Sequence, residues 1–270
     1  MLELQHVTKT FFAHTPNEVK ALQGVDLAID EGSFVIVIGT NGSGKSTLLN
    51  AVAGTFLLDS GRIRLGGRDI TALREHARAA FIGRVFQNPF SGTAPEMSIA
   101  ENLALAARRG QRRGLGWALS RAFRDSLRDR VRGLGMGLED RIDNAIGSLS
   151  GGQRQALTLL MASWLRPQLL LLDEHTAALD PKSAEQVIHL SETIVQRDRL
   201  TTLMVTHSMQ QACALGDRLV MMYRGRSLHD LRGAEKLRLR PEDLLARFDD
   251  VRRTEQLDES AAGLLRRAYV

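Results

Sequence analysis

The amino-acid sequence predicts an α/β fold: a core of alternating strands and helices, with antiparallel strands flanking it at the N-terminus and a helical lobe inserted into it. Three observations carry this. Strand-like runs alternate with helical stretches in the first and last thirds of the chain. Two of these runs, residues 34–38 and 169–172, are continuously apolar, as strands covered on both faces of a sheet must be. Between residues 89 and 165 the strand signals give way to helical ones. The expected organisation is therefore a core formed by residues 1–88 and 166–235, a helical lobe at 89–165 and a helical tail at 236–270.

The elements follow in order. Residues 2–7 and 25–29 read as flanking strands, and 34–38 as a buried strand that gives way to a glycine-rich turn and a helix at 45–53. Further strands are expected at 62–65, 83–86, 169–172, 202–206, 218–223 and 226–228. The tail carries two short amphipathic stretches, 242–248 and about 258–268. Met204, Met209, Met221 and Met222 fall on or near the core strands, where adaptable packing accounts for them. Trp117 and Trp164 are expected to pack the lobe.

Composition narrows the setting. A chain of 270 residues with 43% apolar content supports a sizeable core. The single cysteine, Cys213, cannot form an internal disulfide and reads as a small apolar helix residue in a reducing compartment. No apolar run approaches the ~18 residues needed to cross a bilayer. Residues 1–7 alternate like a strand, without the charged head and apolar middle of a secretion signal. The expectation is a protein that neither spans a membrane nor is exported by its own signal. A net charge of +5 says little about partners until it is located.

The buried strand at 34–38 runs straight into Gly39-Thr40-Asn41-Gly42-Ser43-Gly44-Lys45-Ser46-Thr47, the Walker A pattern. Its glycines let successive backbone N–H groups turn inward on phosphate oxygens. The helix that starts there adds roughly half a positive charge at its N-terminus. In this pattern Lys45 reaches the β- and γ-phosphates, and the Ser46 hydroxyl is placed on a magnesium ion. Asp173 and Glu174 end the second buried run. An Asp at a strand end beside a phosphate loop suits a metal carboxylate, and Glu174, one position on, points differently and can accept a proton from attacking water. Farther back, Leu149-Ser150-Gly151-Gly152-Gln153 precedes a helix expected from Arg154 onward. There Ser150 is a candidate N-cap, and the glycines leave backbone amides bare for a second anion.

These motifs, in this order, resemble the nucleotide-binding subunits of ABC (ATP-binding cassette) transporters over about residues 1–235. The resemblance implies a P-loop NTPase (RecA-like) core, ATP and Mg2+ as cofactors, and ATP hydrolysis coupled to transport. It implies that Ser150, Gly151, Gly152 and Gln153 of one copy close over ATP held by another, in a head-to-tail homodimer. It places Phe11 on the adenine, with Phe12 as a substitute, and Gln87 on the magnesium and the relay to the lobe. Asp180, after Leu179, falls on the loop that crosses the dimer interface, and His207 on the γ-phosphate and attacking water. One departure is His175, which stands after Glu174 where the family usually has Pro; it reads as a tolerated loop substitution that sets an imidazole beside the base.

The run Asp173-Glu174-His175-Thr176-Ala177-Ala178-Leu179-Asp180, with Gly83-Arg84-Val85-Phe86-Gln87 and Thr93-Ala94-Pro95, is similar to a bacterial subgroup of free-standing importer ATPases. That similarity implies an integral membrane permease docked near residues 86–95 and a periplasmic or extracellular solute-binding protein. It also implies a peripheral place on the cytoplasmic face of the inner membrane, and a small organic solute such as an amino acid. No nucleic acid is expected: ABC ATPases that act on DNA ends or ribosomes carry a long coiled-coil insertion or tandem cassettes, and this chain has neither. A catalytically dead binding module is disfavoured by Lys45, Asp173, Glu174 and His207 occurring together. Residues 108–132 hold nine arginines against Asp125 and Asp129, a local balance of +7. If half of these faced an anionic membrane the gain would be on the order of 3 to 4 kcal/mol, enough to orient the protein but not to hold it.

Overall fold

The computed structural model describes residues 1–111, 119–250 and Arg253. Two sheets dominate. One is antiparallel, with strand order β2-β1-β4-β5, built from β1 (Leu2–Phe11), β2 (Val19–Ile29), β4 (Ser60–Leu65) and β5 (Arg68–Asp69). The other has six strands in the order β10-β9-β3-β8-β7-β6: β3 (Phe34–Gly39), β6 (Ile82–Val85), β7 (Leu169–Asp173), β8 (Thr202–Val205), β9 (Arg218–Tyr223) and β10 (Arg226–Arg232). All its pairings are parallel except that of β9 with β10, which form a hairpin.

The continuous apolar runs are explained by cover on both faces. Val35 and Val37 of β3, Leu169 and Leu171 of β7, and Leu203 and Val205 of β8 point to one side, where they meet Leu48, Leu49 and Val52 of α1 (Lys45–Ala53) and the inner face of the antiparallel sheet. The alternate residues Ile36, Ile38, Leu170, Leu172 and Met204 point to the other, against α5 (Gly151–Ser163), α6 (Pro181–Asp198) and α7 (Met209–Ala214). Helix α1 is thus sandwiched between the sheets, which holds the loop before it. Residues 241–250 are helical, and Leu244 and Phe248 join the second cluster. The expected helix at about 258–268, Trp117, Arg112 and Arg113 lie outside the described residues.

A third cluster belongs to the helical stretch. It draws Ile99 and Leu103 from α3 (Ile99–Ala107), Leu127 and Val131 from α4 (Arg121–Arg132), and Ala156, Leu157 and Leu160 from α5, with Trp164 beside them. Several elements differ from expectation. β2 begins at Val19 rather than 25, because pairing with β1 continues past register shifts between Leu4 and Val7 and between Val7 and Thr8, which interrupt simple alternation. α5 begins at Gly151 rather than Arg154, because Ser150 and Gln153 form a capping box that carries the two glycines in the first turn. Short α2 (Glu75–Arg78) and α8 (Gly233–Leu237) complete the fold.

Candidate functional site

The C-terminal ends of β3, β6, β7 and β8 open onto one crevice, where the chain passes from one side of β3 to the other, and ligands of open α/β sheets bind at such a reversal. Gly39 through Gly44 wrap the end of β3, and Ser43 N–H donates to Thr40 O at 3.1 Å. Gly44 is required twice over. Its φ is 98°, and a Cβ there would fall 2.4 Å from Ala21 O. Lys45 opens α1, is only 6% exposed, and donates to Gly39 O at 2.9 Å and Thr40 O at 3.1 Å. Burial pulls its ammonium below the usual lysine range, opposed by the nearby carboxylates of Glu174 and Asp173. Thr40 and Thr47 are half-buried, while Asn41, Gly42 and Ser46 are exposed at the mouth. The buried Ser43 Oγ has no partner, so the loop holds a polar atom still to be satisfied.

Asp173 ends β7. Burial pushes its carboxyl pKa up, while Arg84, whose Nη2 lies 3.4 Å from Oδ2, pulls it back. At Glu174 the backbone turns to φ 44°, leaving the strand conformation, while its N–H still donates to Val205 O at 3.0 Å. His207 follows β8, is 60% exposed, and sets Nδ1 3.3 Å from Glu174 Oε2. Glu174 and His207, separated by 33 residues, are therefore in contact at the crevice. Gln87 is exposed in the loop after β6. The preceding residue is tied to the lobe, since Gln155 Nε2 of α5 donates to Phe86 O at 3.0 Å, and the Arg154 guanidinium covers Phe90 at 3.6 Å.

Residues 22–177 match the family model described as ABC transporter. The chain belongs to the ABC transporter family. It is 41% identical over 249 residues, 92% of this chain and 99% of the relative, to a tyrosine transport ATP-binding protein of Clostridioides difficile. It is 34% identical over 229 residues, 83% of this chain and 96% of the relative, to a lipoprotein-releasing system ATP-binding protein of Ruegeria pomeroyi. Among solved structures it resembles a dimeric ATP-binding cassette in a post-hydrolysis state bound to ADP and Pi, with TM-score 0.74 and 28% identity over 86% of this chain and 98% of that one. The P-loop NTPase core expected from the sequence is thus present, and the chain is the ATP-binding, ATP-hydrolysing subunit of an ABC transporter.

The remaining motifs of this ABC ATPase fall on defined caps. Ser150 Oγ accepts from Gln153 N–H at 3.3 Å, and the Gln153 side chain returns to Ser150 N–H. A Cβ on Gly152 would lie 2.8 Å from Ser183 Cβ, so glycine here answers the close approach of α6 as well as any ligand. Gly151 faces Leu179. Asp180 caps α6 through Ser183 N–H at 3.0 Å, and hydrogen bonds from Ser183 hold its carboxyl below the usual range. Phe11 is half-buried with its ring edge-on to Phe56 at 5.4 Å, whereas Phe12 is 70% exposed with φ 53°.

One expectation needs correcting: the His175 imidazole is not set beside the Glu174 carboxylate, for its side chain is buried, 1% exposed, and its Nε2 lies 2.9 Å from Ser191 Oγ. The Ser191 hydroxyl donates to Val187 O, so His175 Nε2–H must be the donor to Ser191, and Nδ1 is left buried without a partner. Burial lowers its pKa from 6.5 to about 4. The folded state thus favours neutral imidazole, a contribution fully present above pH 6.5 and lost as pH falls toward 4. Over that window the loss is on the order of 3 kcal/mol. Urea unfolding at pH 7.5 and pH 5 should show a smaller loss for His175→Gln than for the native protein; parallel losses would remove His175 as the cause.

Among the described residues of the basic segment, several arginines have partners. Arg124 pairs with Asp143, Arg128 with Asp125 and Arg132 with Asp129. Arg109 donates to Ala162 O, and Arg130 to Trp164 O while lying over the Trp164 ring at 4.0 Å. Asp125 and Asp129 are already counted in the balance of +7, and bonds to carbonyls leave the charge in place, so of these contacts only the pair with Asp143 lowers it.

Proposed function

We propose that this ABC ATPase energises uptake of a small organic solute, an amino acid such as tyrosine, through a separate integral membrane permease supplied by a periplasmic or extracellular solute-binding protein. The observation that carries this is the match along nearly the full length of the tyrosine transport ATP-binding protein, at higher identity than the lipoprotein-releasing relative. Among the described residues no helix is long and apolar enough to cross a membrane. The proposed place is peripheral, on the cytoplasmic face of the inner membrane.

In this reading ATP lies in the Gly39–Ser46 cradle, with Lys45 moving from its carbonyls to the β- and γ-phosphates and Phe11 or the adjacent Phe12 against the adenine. The donor set of one carboxylate, one hydroxyl and one amide oxygen suits Mg2+, a hard cation that binds oxygen ligands through one or two protein groups plus phosphates and water. Ser46, Gln87 and Asp173 would hold it, and the ion would neutralise charge developing on the phosphates. Glu174 accepts a proton from the attacking water, and His207, hydrogen-bonded to Glu174, orients that water and contacts the γ-phosphate. Ser150 to Gln153 of a second copy, with Asp180 crossing between copies, would close the site. Gln87, joined to α5 through the Phe86–Gln155 hydrogen bond, carries the state of the site to the lobe and the permease.

Cells in which Glu174→Gln replaces the native protein should lose uptake of labelled tyrosine while the protein stays in the membrane fraction with its permease. Unchanged uptake of tyrosine and other amino acids would overturn the solute class. Tight, salt-sensitive binding of nucleic acid without a membrane partner would favour a DNA- or ribosome-directed ABC ATPase instead.

A further inference from the structure

The carboxylate assigned to magnesium already has a cation of the chain beside it. Arg84 lies on β6 opposite Leu171 of β7, two residues before Asp173, and its side chain is 12% exposed. Its Nη2 is shared between Asp173 Oδ2 at 3.4 Å and Asn50 Oδ1, to which it donates at 2.6 Å. Its Nη1 donates to Thr55 Oγ1 at 3.3 Å and lies 3.7 Å from Glu75 Oε1, and the Phe86 ring covers the guanidinium at 4.5 Å. Asn50 belongs to α1, the helix of the phosphate loop, and Phe86 immediately precedes Gln87. One guanidinium therefore joins the phosphate-loop helix, the strand-end carboxylate and the start of the Gln87 loop. Packing does not call for a charge here, since the other residues of the strand, Ile82, Gly83 and Val85, are buried and apolar. Its donated hydrogen bonds all come from Nη1 and Nη2, while its buried Nε finds no partner.

We propose that Arg84 is a positioning residue that serves as the resident counter-ion of Asp173, holding the carboxylate toward the phosphate-loop helix before metal arrives and setting how much Mg2+ is needed to engage it. The inference rests on the reading of Asp173 as the metal carboxylate. Two effects oppose each other when Arg84 is removed. Loss of the tether to Asn50 frees the Asp173 side chain, which weakens metal binding. Loss of a full positive charge within a few ångströms of the metal position removes repulsion in a poorly screened interior, which strengthens it. The second prevails because the Asp173 backbone is already fixed, paired with Val205 across the ladder of β7 and β8.

The test is a Mg2+ titration of binding of a fluorescent, non-hydrolysable ATP analogue to the full-length protein. Arg84→Met should lower the Mg2+ midpoint by about three- to tenfold, and Arg84→Lys, which keeps the charge, should stay within about twofold of the native value. Arg84→Gln, which keeps a donor for Asn50 without the charge, should shift as Met does, and it supplies the answer if the Met variant does not fold. An unchanged or raised midpoint in the uncharged variants, or a Lys variant that moves with them, would overturn the proposal. Asp173→Asn separates the two failures. A midpoint raised by Asp173→Asn but unmoved by Arg84→Met removes the role of Arg84 alone, whereas one unmoved by either removes the metal reading of Asp173 with it.

Discussion

Glu174→Gln is expected to lower the ATPase rate by about 10²- to 10⁴-fold while ATP binding persists. The amide has the size of the carboxylate and can still bond His207, whose Nδ1 lies 3.3 Å from Glu174 Oε2, so the crevice should keep its shape. What is lost is the ability to take a proton from water. Removing a negative charge beside the phosphate cradle also relieves repulsion of the nucleotide, so affinity should hold or rise. If ATP joins two copies and hydrolysis parts them, the variant must accumulate as a dimer in the presence of ATP. Gel filtration with and without ATP reads the dimer, and phosphate release reads the rate. Hydrolysis at the native rate would remove Glu174 as the base. A slow rate without an ATP-dependent dimer would keep the base and remove the proposed sandwich.

The phosphate loop was legible because its chemistry is local. One buried strand, three glycines and the lysine that opens a helix occur within a dozen residues, and each residue type is dictated by its neighbours. The contact of Glu174 with His207 was not legible from local pattern, because it depends on β7 and β8 being neighbours in the sheet, a pairing that the residues around each strand end do not specify. Only the resemblance to ABC subunits placed the two residues together. The extent of β2 was missed for a different reason: period-two alternation identifies a strand only while the ladder is regular, and the register shifts in β1 break it. At residues 149–153 Ser150 was legible as an N-cap, yet the helix was expected only from Arg154, whereas the capping box starts α5 three residues earlier, at Gly151. Arg84 left a signal that went unused, a charged residue inside an otherwise buried strand; its partner Asp173, 89 residues away, could not be named without the fold. His175 was placed beside the base by adjacency in sequence, but consecutive side chains diverge where the backbone turns at Glu174, and Ser191 of α6 takes the imidazole instead.

Lys45→Ala is expected to weaken ATP binding by roughly two to three orders of magnitude, the usual cost of truncating one member of a desolvated charge pair. Whether that loss reports on binding or on folding depends on what Lys45 does in the unliganded protein. There its ammonium is largely buried and bonded only to the carbonyls of Gly39 and Thr40, so it contributes two hydrogen bonds at the expense of desolvating a charge. Those terms are similar in size and opposite in sign. Substitution should therefore change stability little, and the position of α1 is secured independently by Leu48, Leu49 and Val52 in the core. The phosphates, by contrast, would lose the one ammonium in the loop, with only backbone amides and the helix terminus left to hold several negative charges. Calorimetry of ATP binding and thermal unfolding without nucleotide separate the two quantities. A native-like melting curve with the affinity lost would show that the lysine is held in place for the nucleotide; a collapsed melting curve would show that it holds the loop. Native affinity would refute the phosphate-loop reading altogether.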